Sequence, residues 1–135
     1  MTDAEAFASI ALAAVACDGT LGREEAHALR RELEYRTPYK DRTEQEMGAL
    51  FDRLLVTLRE QGVNQLVTEA LPALTPIQQE TALAVAVQLT HADRDVSPAE
   101  QRFLNQLCDR LSLPDGRAVA VMEAIMALHR DSLSS

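Results

Sequence analysis

Apolar residues along this chain recur with the period of a helix. Between 43 and 60 the large apolar side chains fall at Met47, Leu50, Phe51, Leu54, Leu55 and Leu58, stepping by three and four along one face. That spacing predicts an amphipathic surface helix. Ile10 to Cys17 and Ala82 to Leu89 are instead apolar on nearly every side and rich in alanine, which predicts two central helices. Small side chains there let neighbouring backbones approach closely. Helix starts are written into the sequence as well. Thr2 with Glu5, Thr43 with Glu46, Thr75 with Gln78 and Ser97 with Glu100 each fit the reciprocal capping box, in which a hydroxyl and a side chain three residues on satisfy each other's orphan amides. Pro76 and Pro98 stand at the first helical position, where the missing N–H costs nothing. These signals predict seven helices, near 3–17, 23–35, 43–60, 63–71, 76–92, 98–112 and 115–131.

Composition narrows the fold class. The 135 residues are 47% apolar, enough for one core, so a single domain over 1–135 is expected. Five Gly, five Pro, no Trp and 4% aromatics leave that core to Ala, Leu and Val, which points to an all-α bundle. The formal charge of −8, from 21 acidic and 13 basic residues, repels phosphate backbones and argues against nucleic acid as a partner. It suits cations or basic protein surfaces. No apolar run reaches the roughly 18–20 residues a membrane span needs, and the start MTDAEAF lacks the basic n-region of a signal peptide. The chain is therefore expected in the cytosol.

An internal repeat organises the chain. Shifting it by 75 residues lays 11–29 on 86–104: Ala11 meets Ala86, Asp18 meets Asp93, Glu25 meets Glu100 and Leu29 meets Leu104, with Leu21 against Val96. The unit is a helix, an acidic turn, an apolar plug and a helix, with copies at about 7–35 and 82–112. A period this long, used twice, describes a duplicated hairpin closing one core rather than an open array.

Both copies place an aspartate where the first helix ends, at the pole the helix dipole makes unfavourable for an anion by about 0.3–1 kcal/mol. Two roles are open to it. The carboxylate can accept backbone amides of the turn, or it can face a cation together with the glutamate seven positions on. The glutamates carry their own alternative, because Glu100 completes a capping box with Ser97 and Glu25 stands at the same place after Gly22. Asp95 adds a further oxygen donor beside Asp93, and Asp18, Thr20 and Glu24 or Glu25 are the matching donors of the first turn. The candidate metal ligands are thus Asp18, Glu25, Asp93, Asp95 and Glu100, and hard oxygens in such number favour Ca²⁺ or Mg²⁺ over Zn²⁺. An EF-hand is excluded, since its loop needs Gly at position six and Glu at twelve. Those positions hold Arg23 and Leu29 in one copy and Pro98 and Leu104 in the other.

The paired pattern of an apolar helix, a D-G-x-[LIV]-x-x-x-E turn and a second helix resembles the TerB-like family of tellurite resistance proteins. Asp18-Gly19-Thr20-Leu21-Gly22-Arg23-Glu24-Glu25 fits throughout; Asp93-Arg94-Asp95-Val96-Ser97-Pro98-Ala99-Glu100 carries Arg94 where the pattern has glycine. If that turn needs a positive φ, Arg94 is strained there. The resemblance implies a compact bundle of about seven helices with pseudo-twofold symmetry. It also implies acidic residues that bind divalent cations, and work through protein partners at the inner face of the membrane in stress response.

The remaining chemistry is sparse. Cys17 and Cys108 lie in apolar stretches without metal-finger spacing and read as reduced, buried small hydrophobes. His91, near a helix end and two residues before Asp93, is expected at the surface and on a different face from that aspartate. The chain shows no nucleophile elbow, no phosphate-cradling glycine loop and no H-E-x-x-H, so a non-enzymatic role is expected. Residues 35–42 read as an exposed connection which, with Arg30 and Arg31, gathers five of the 13 basic residues. The last predicted helix carries Val119, Val121, Met122, Ile125, Met126 and Leu128, more apolar surface than one buried face requires. Two functions follow: a cation-binding module acting through protein partners, or a metal-free interaction scaffold or homodimer whose acidic residues cap helices.

Overall fold

A computed structural model describes residues 1–19, 21–92 and 95–135. It contains six α-helices: α1 (Asp3–Ala16), α2 (Arg23–Glu34), α3 (Glu44–Ala70), α4 (Pro76–His91), α5 (Pro98–Arg110) and α6 (Arg117–His129). Short 3₁₀ turns occur at Tyr39–Asp41 and Leu71–Ala73, and no strand occurs among the described residues. The all-α expectation holds; the count of seven does not. The stretches expected as separate helices at 43–60 and 63–71 form one element, α3, broken at Gly62 with φ 86° and ψ 172°. That backbone is accessible to glycine almost alone, so the residue that ends the first arm also lets the second start without a loop.

All four predicted capping boxes form. At each start the Ser or Thr hydroxyl accepts the amide three residues on, and the Glu or Gln side chain accepts the cap residue's amide in return. Each box satisfies two amides that the first helical turn would otherwise leave to solvent.

The two alanine-rich helices are central. α1 packs against α3 and α4, and α4 packs in addition against α6. From Ala8 to Ala16 every residue of α1 is buried, and Ala13 and Ala86 are wholly inaccessible. Gln79, a buried polar residue of α4, is kept in the core by three hydrogen bonds. Its Nε2 donates to the carbonyls of Leu71 and Leu74, and its Oε1 accepts the Ser112 amide at 2.8 Å. The segment 35–42 is not simply exposed, because its centre is anchored: Tyr39 is buried and its hydroxyl donates to the Ala4 carbonyl. The Arg36 and Arg42 guanidinium groups lie over the rings of Phe7 and Tyr39 at 5.8 and 5.7 Å.

The sequence correspondence at a shift of 75 continues past the two-helix unit. Under the same shift of 75, Met47, Leu50 and Phe51 of α3 fall on Met122, Ile125 and Met126 of α6. Met47 and Met122 are both buried. Glu5 falls on Glu80, and each ties its copy's first helix to the third, through Arg53 at 3.5 Å and Arg117 at 2.7 Å. Residue pairs 75 apart thus run from the first arm of α3 into α6 as well as through the two-helix unit. Surface ion pairs of this kind are worth about 0–1 kcal/mol, and the two arginines stand at different positions of their helices.

Candidate acidic site at the crossed repeat turns

α1 ends at Cys17, and Asp18 follows in the turn; the last turn of the helix carries no basic residue. Gly19 next to it takes φ 91°, so the first turn does use the left-handed freedom of its glycine. Arg94, the counterpart of Gly19, lies outside the described residues, as do Thr20 and Asp93.

The second helix of each copy crosses to the other copy. Ala99 and Phe103 of α5 line a groove with Cys17, and Glu100 acts electrostatically on the Cys17 thiol. Conversely Glu25 of α2 lies in a groove with Leu89 and Ala92 at the end of α4. Cys17 and Ala92 are themselves 75 apart, so the two crossings correspond. The groove that holds Glu25 is shared with Val15 of α1 as well as with the end of α4, so Glu25 stands between the two first helices.

Cys17 reports the local field. Burial, then the Glu100 carboxylate, then that of Asp18 push its thiol up to about 11. The thiol donates to the Ala14 carbonyl at 3.2 Å and stays protonated at neutral pH. Burial likewise pushes the Cys108 thiol up, with Asp109 adding to it. Both cysteines are free and only half-buried, rather than sealed in the core as expected. Neither is a ready thiolate for a soft metal or for nucleophilic attack.

The glutamates also serve their helices. Glu100 accepts the Ser97 amide through Oε1 at 2.9 Å, while the Ser97 hydroxyl accepts the Glu100 amide at 3.1 Å. Glu25 folds back over Gly22, the cap residue of α2, so closely that a Cβ at Gly22 would collide with its carboxylate. Asp95 is exposed two residues before the Ser97 cap. Among the described residues no three or more His, Cys, Asp or Glu side chains are grouped to hold a metal ion. The described donors suit a hard cation in kind, being carboxylate oxygens beside a protonated thiol. In number they leave further positions to backbone carbonyls, water or residues outside the described set.

His91 is a correction. It is buried, not at the surface, with Nδ1 2.9 Å from the Val87 carbonyl and its ring centroid 6.4 Å from that of His129. Nε2 of His129 lies 2.6 Å from Gln88 Oε1, so this pair braces α6 against α4. A histidine at the negative pole of a helix is favoured there, but the packing of α6 over α4 decides its burial. Sequence reading missed Gln79 too, and a glutamine amid the apolar residues of a central helix was the signal available for it.

Among the described residues no helix is long and apolar enough to cross a membrane. Comparison with curated proteins and with solved structures gives no match. Against family models, residues 4–131 match that of the tellurite resistance protein TerB. With its helical fold and nearly the whole of its length matched, the chain belongs to the TerB family.

Proposed function

We propose that this chain is a non-catalytic binding module of the tellurite-resistance type whose crossed acidic turns take a hard divalent cation. The observation that carries this reading is that two carboxylates from different helical hairpins, Asp18 and Glu100, both act electrostatically on the Cys17 thiol at the negative end of α1. Anions placed at a helix C-terminus are disfavoured, and a cation there offsets both the dipole and their mutual repulsion. Asp18 and Glu100 supply oxygens on one side. The symmetric role on the other side falls to Glu25, with Asp93 and Asp95 completing the set. A carboxylate that caps with one oxygen can ligate with the other, so capping by Glu100 is compatible with this role. Ca²⁺ or Mg²⁺ fits the oxygen donors better than Zn²⁺ does. A cation shared between the copies would fix the crossing of α5 over α1, and with it the surface offered to protein partners in the cytoplasm at the inner face of the membrane.

The Ser97–Glu100 box favours a second reading, in which the glutamates only cap and the module is a metal-free scaffold. Isothermal titration of the metal-stripped protein with Ca²⁺ and Mg²⁺ separates the two. Saturable binding that Asp18→Asn and Glu100→Gln each weaken supports the cation site; no binding, with both variants as stable as the parent, leaves capping alone.

A further inference from the structure

The repeat supplies an internal standard for what a third helix looks like when it faces solvent. Under the shift of 75, the exposed positions Glu44, Gln45, Asp52 and Arg53 of α3 correspond to Val119, Ala120, Ala127 and Leu128 of α6, which are exposed as well. The fold is the same and the polarity is reversed. Val119 is 46% and Leu128 73% exposed, and of the other helices α6 packs chiefly on α4. Apolar residues scattered singly on a surface need no explanation, but four exposed apolar positions on one helix whose counterparts 75 residues back are all polar do.

We infer that the outer face of α6 is the contact between two copies of this chain. Charge singles out a second copy. At a formal −8 the chain repels itself over most orientations, while the exposed side of α6 carries one carboxylate, Glu123, with Arg117 and Arg130 near its two ends and Arg117 paired to Glu80, so it faces a copy of itself without opposed rows of like charge. A basic partner drawn by the acidic surface would find almost no carboxylates here. Ala120 and Ala127, at the middle of the face, let two helix axes come within about 8 Å, and a twofold axis brings the same patch to both sides. Area sets the strength. A helix of this length is about 20 Å long and about 10–12 Å wide, and its outer face falls short of the ~800 Å² per partner of a standard interface. The dimer is therefore weak and reversible, filling as concentration rises.

Sedimentation velocity in EDTA, from low micromolar to near-millimolar protein, tests this apart from any cation. The expected result is a weight-average mass rising from the 14.8 kDa monomer toward twice that value. The double variant Ala127→Asp, Leu128→Arg puts the protein's own α3 residues on α6 and is expected to stay monomeric with an unchanged thermal midpoint. Val119→Glu is the single-site check should the double variant not fold. Parent protein that remains monomeric throughout, or folded variants that associate as the parent does, would overturn the inference. So would a monomeric parent that instead binds phosphatidylcholine vesicles, which would give the face to lipid.

Discussion

At Glu100 one side chain meets two demands: an oxygen accepts the Ser97 amide, while the charge reaches Cys17 across the repeat. Glutamine separates them, because it completes a capping box as well as glutamate does but carries no charge. Glu100→Gln is expected to change stability by no more than about 0.5 kcal/mol without metal. The same substitution removes the larger of the two carboxylate influences holding the Cys17 thiol up, so more thiolate forms at a given pH. Iodoacetamide labelling of Cys17 in a Cys108→Ser background, followed at mildly alkaline pH, should run severalfold faster in Glu100→Gln than in the parent. Equal rates would mean that Glu100 does not act on the thiol and that burial and Asp18 set it. At this scale the sequence was informative about local partners and silent about distant ones. The Ser97–Glu100 box depends on residues three apart and was legible; the approach of Glu100 to Cys17 depends on how α5 crosses α1, which no spacing encodes. His91 failed for the same reason, since its burial comes from α6.

Among the elements, starts are better encoded than interruptions. Thr43 and Glu46 mark the beginning of α3 through side chains that bond to the backbone, and Pro76 and Pro98 do so through a missing N–H. The break inside α3 has no such marker beyond Gly62, and a loss of apolar period after Leu58 reads equally well as a loop or as a kink. The structure makes it a kink, with no atom within 4 Å of where a Cβ at Gly62 would stand. Substitution there tests backbone conformation free of any clash. Gly62→Ala is expected to cost about 1–3 kcal/mol in chemical denaturation, because alanine does not share glycine's access to this φ and ψ. A neutral result would mean that the two arms of α3 straighten at little cost. The Arg36–Tyr39 segment shows the opposite error. Its basic, proline-containing composition read as solvated, but the ring of Tyr39 outweighs that composition once Ala4 offers its carbonyl.

Across the whole molecule the two alanine-rich helices, α1 and α4, pack on each other at the centre. Ala13 and Ala86 are wholly buried where neighbouring helices pack, so each has room for a methyl group and little more. Ala13→Leu and Ala86→Leu are each expected to destabilise by about 1–3 kcal/mol, read as a lowered denaturation midpoint. Little change in both would mean that the centre is loosely packed. Helical class, the single core and the identity of the central helices could all be read from apolar period and composition. The likeness of α3 to α6 could not, because Met47 and Met122 are the one identical buried pair that these two helices share at a shift of 75, and only their burial draws attention to it. The acidic turns lie between these limits: their residues are plain in the sequence, and their partners are set by the crossing. The most direct measurement is the thermal midpoint of metal-stripped protein, alone and with millimolar Ca²⁺ or Mg²⁺, for the parent and for Asp18→Asn combined with Glu100→Gln. A cation present at about 100 times its dissociation constant adds about 2.7 kcal/mol, a rise of roughly 6–12 °C in a domain of this size. The account expects that rise in the parent and its loss in the double variant; a parent midpoint that neither cation moves would contradict it.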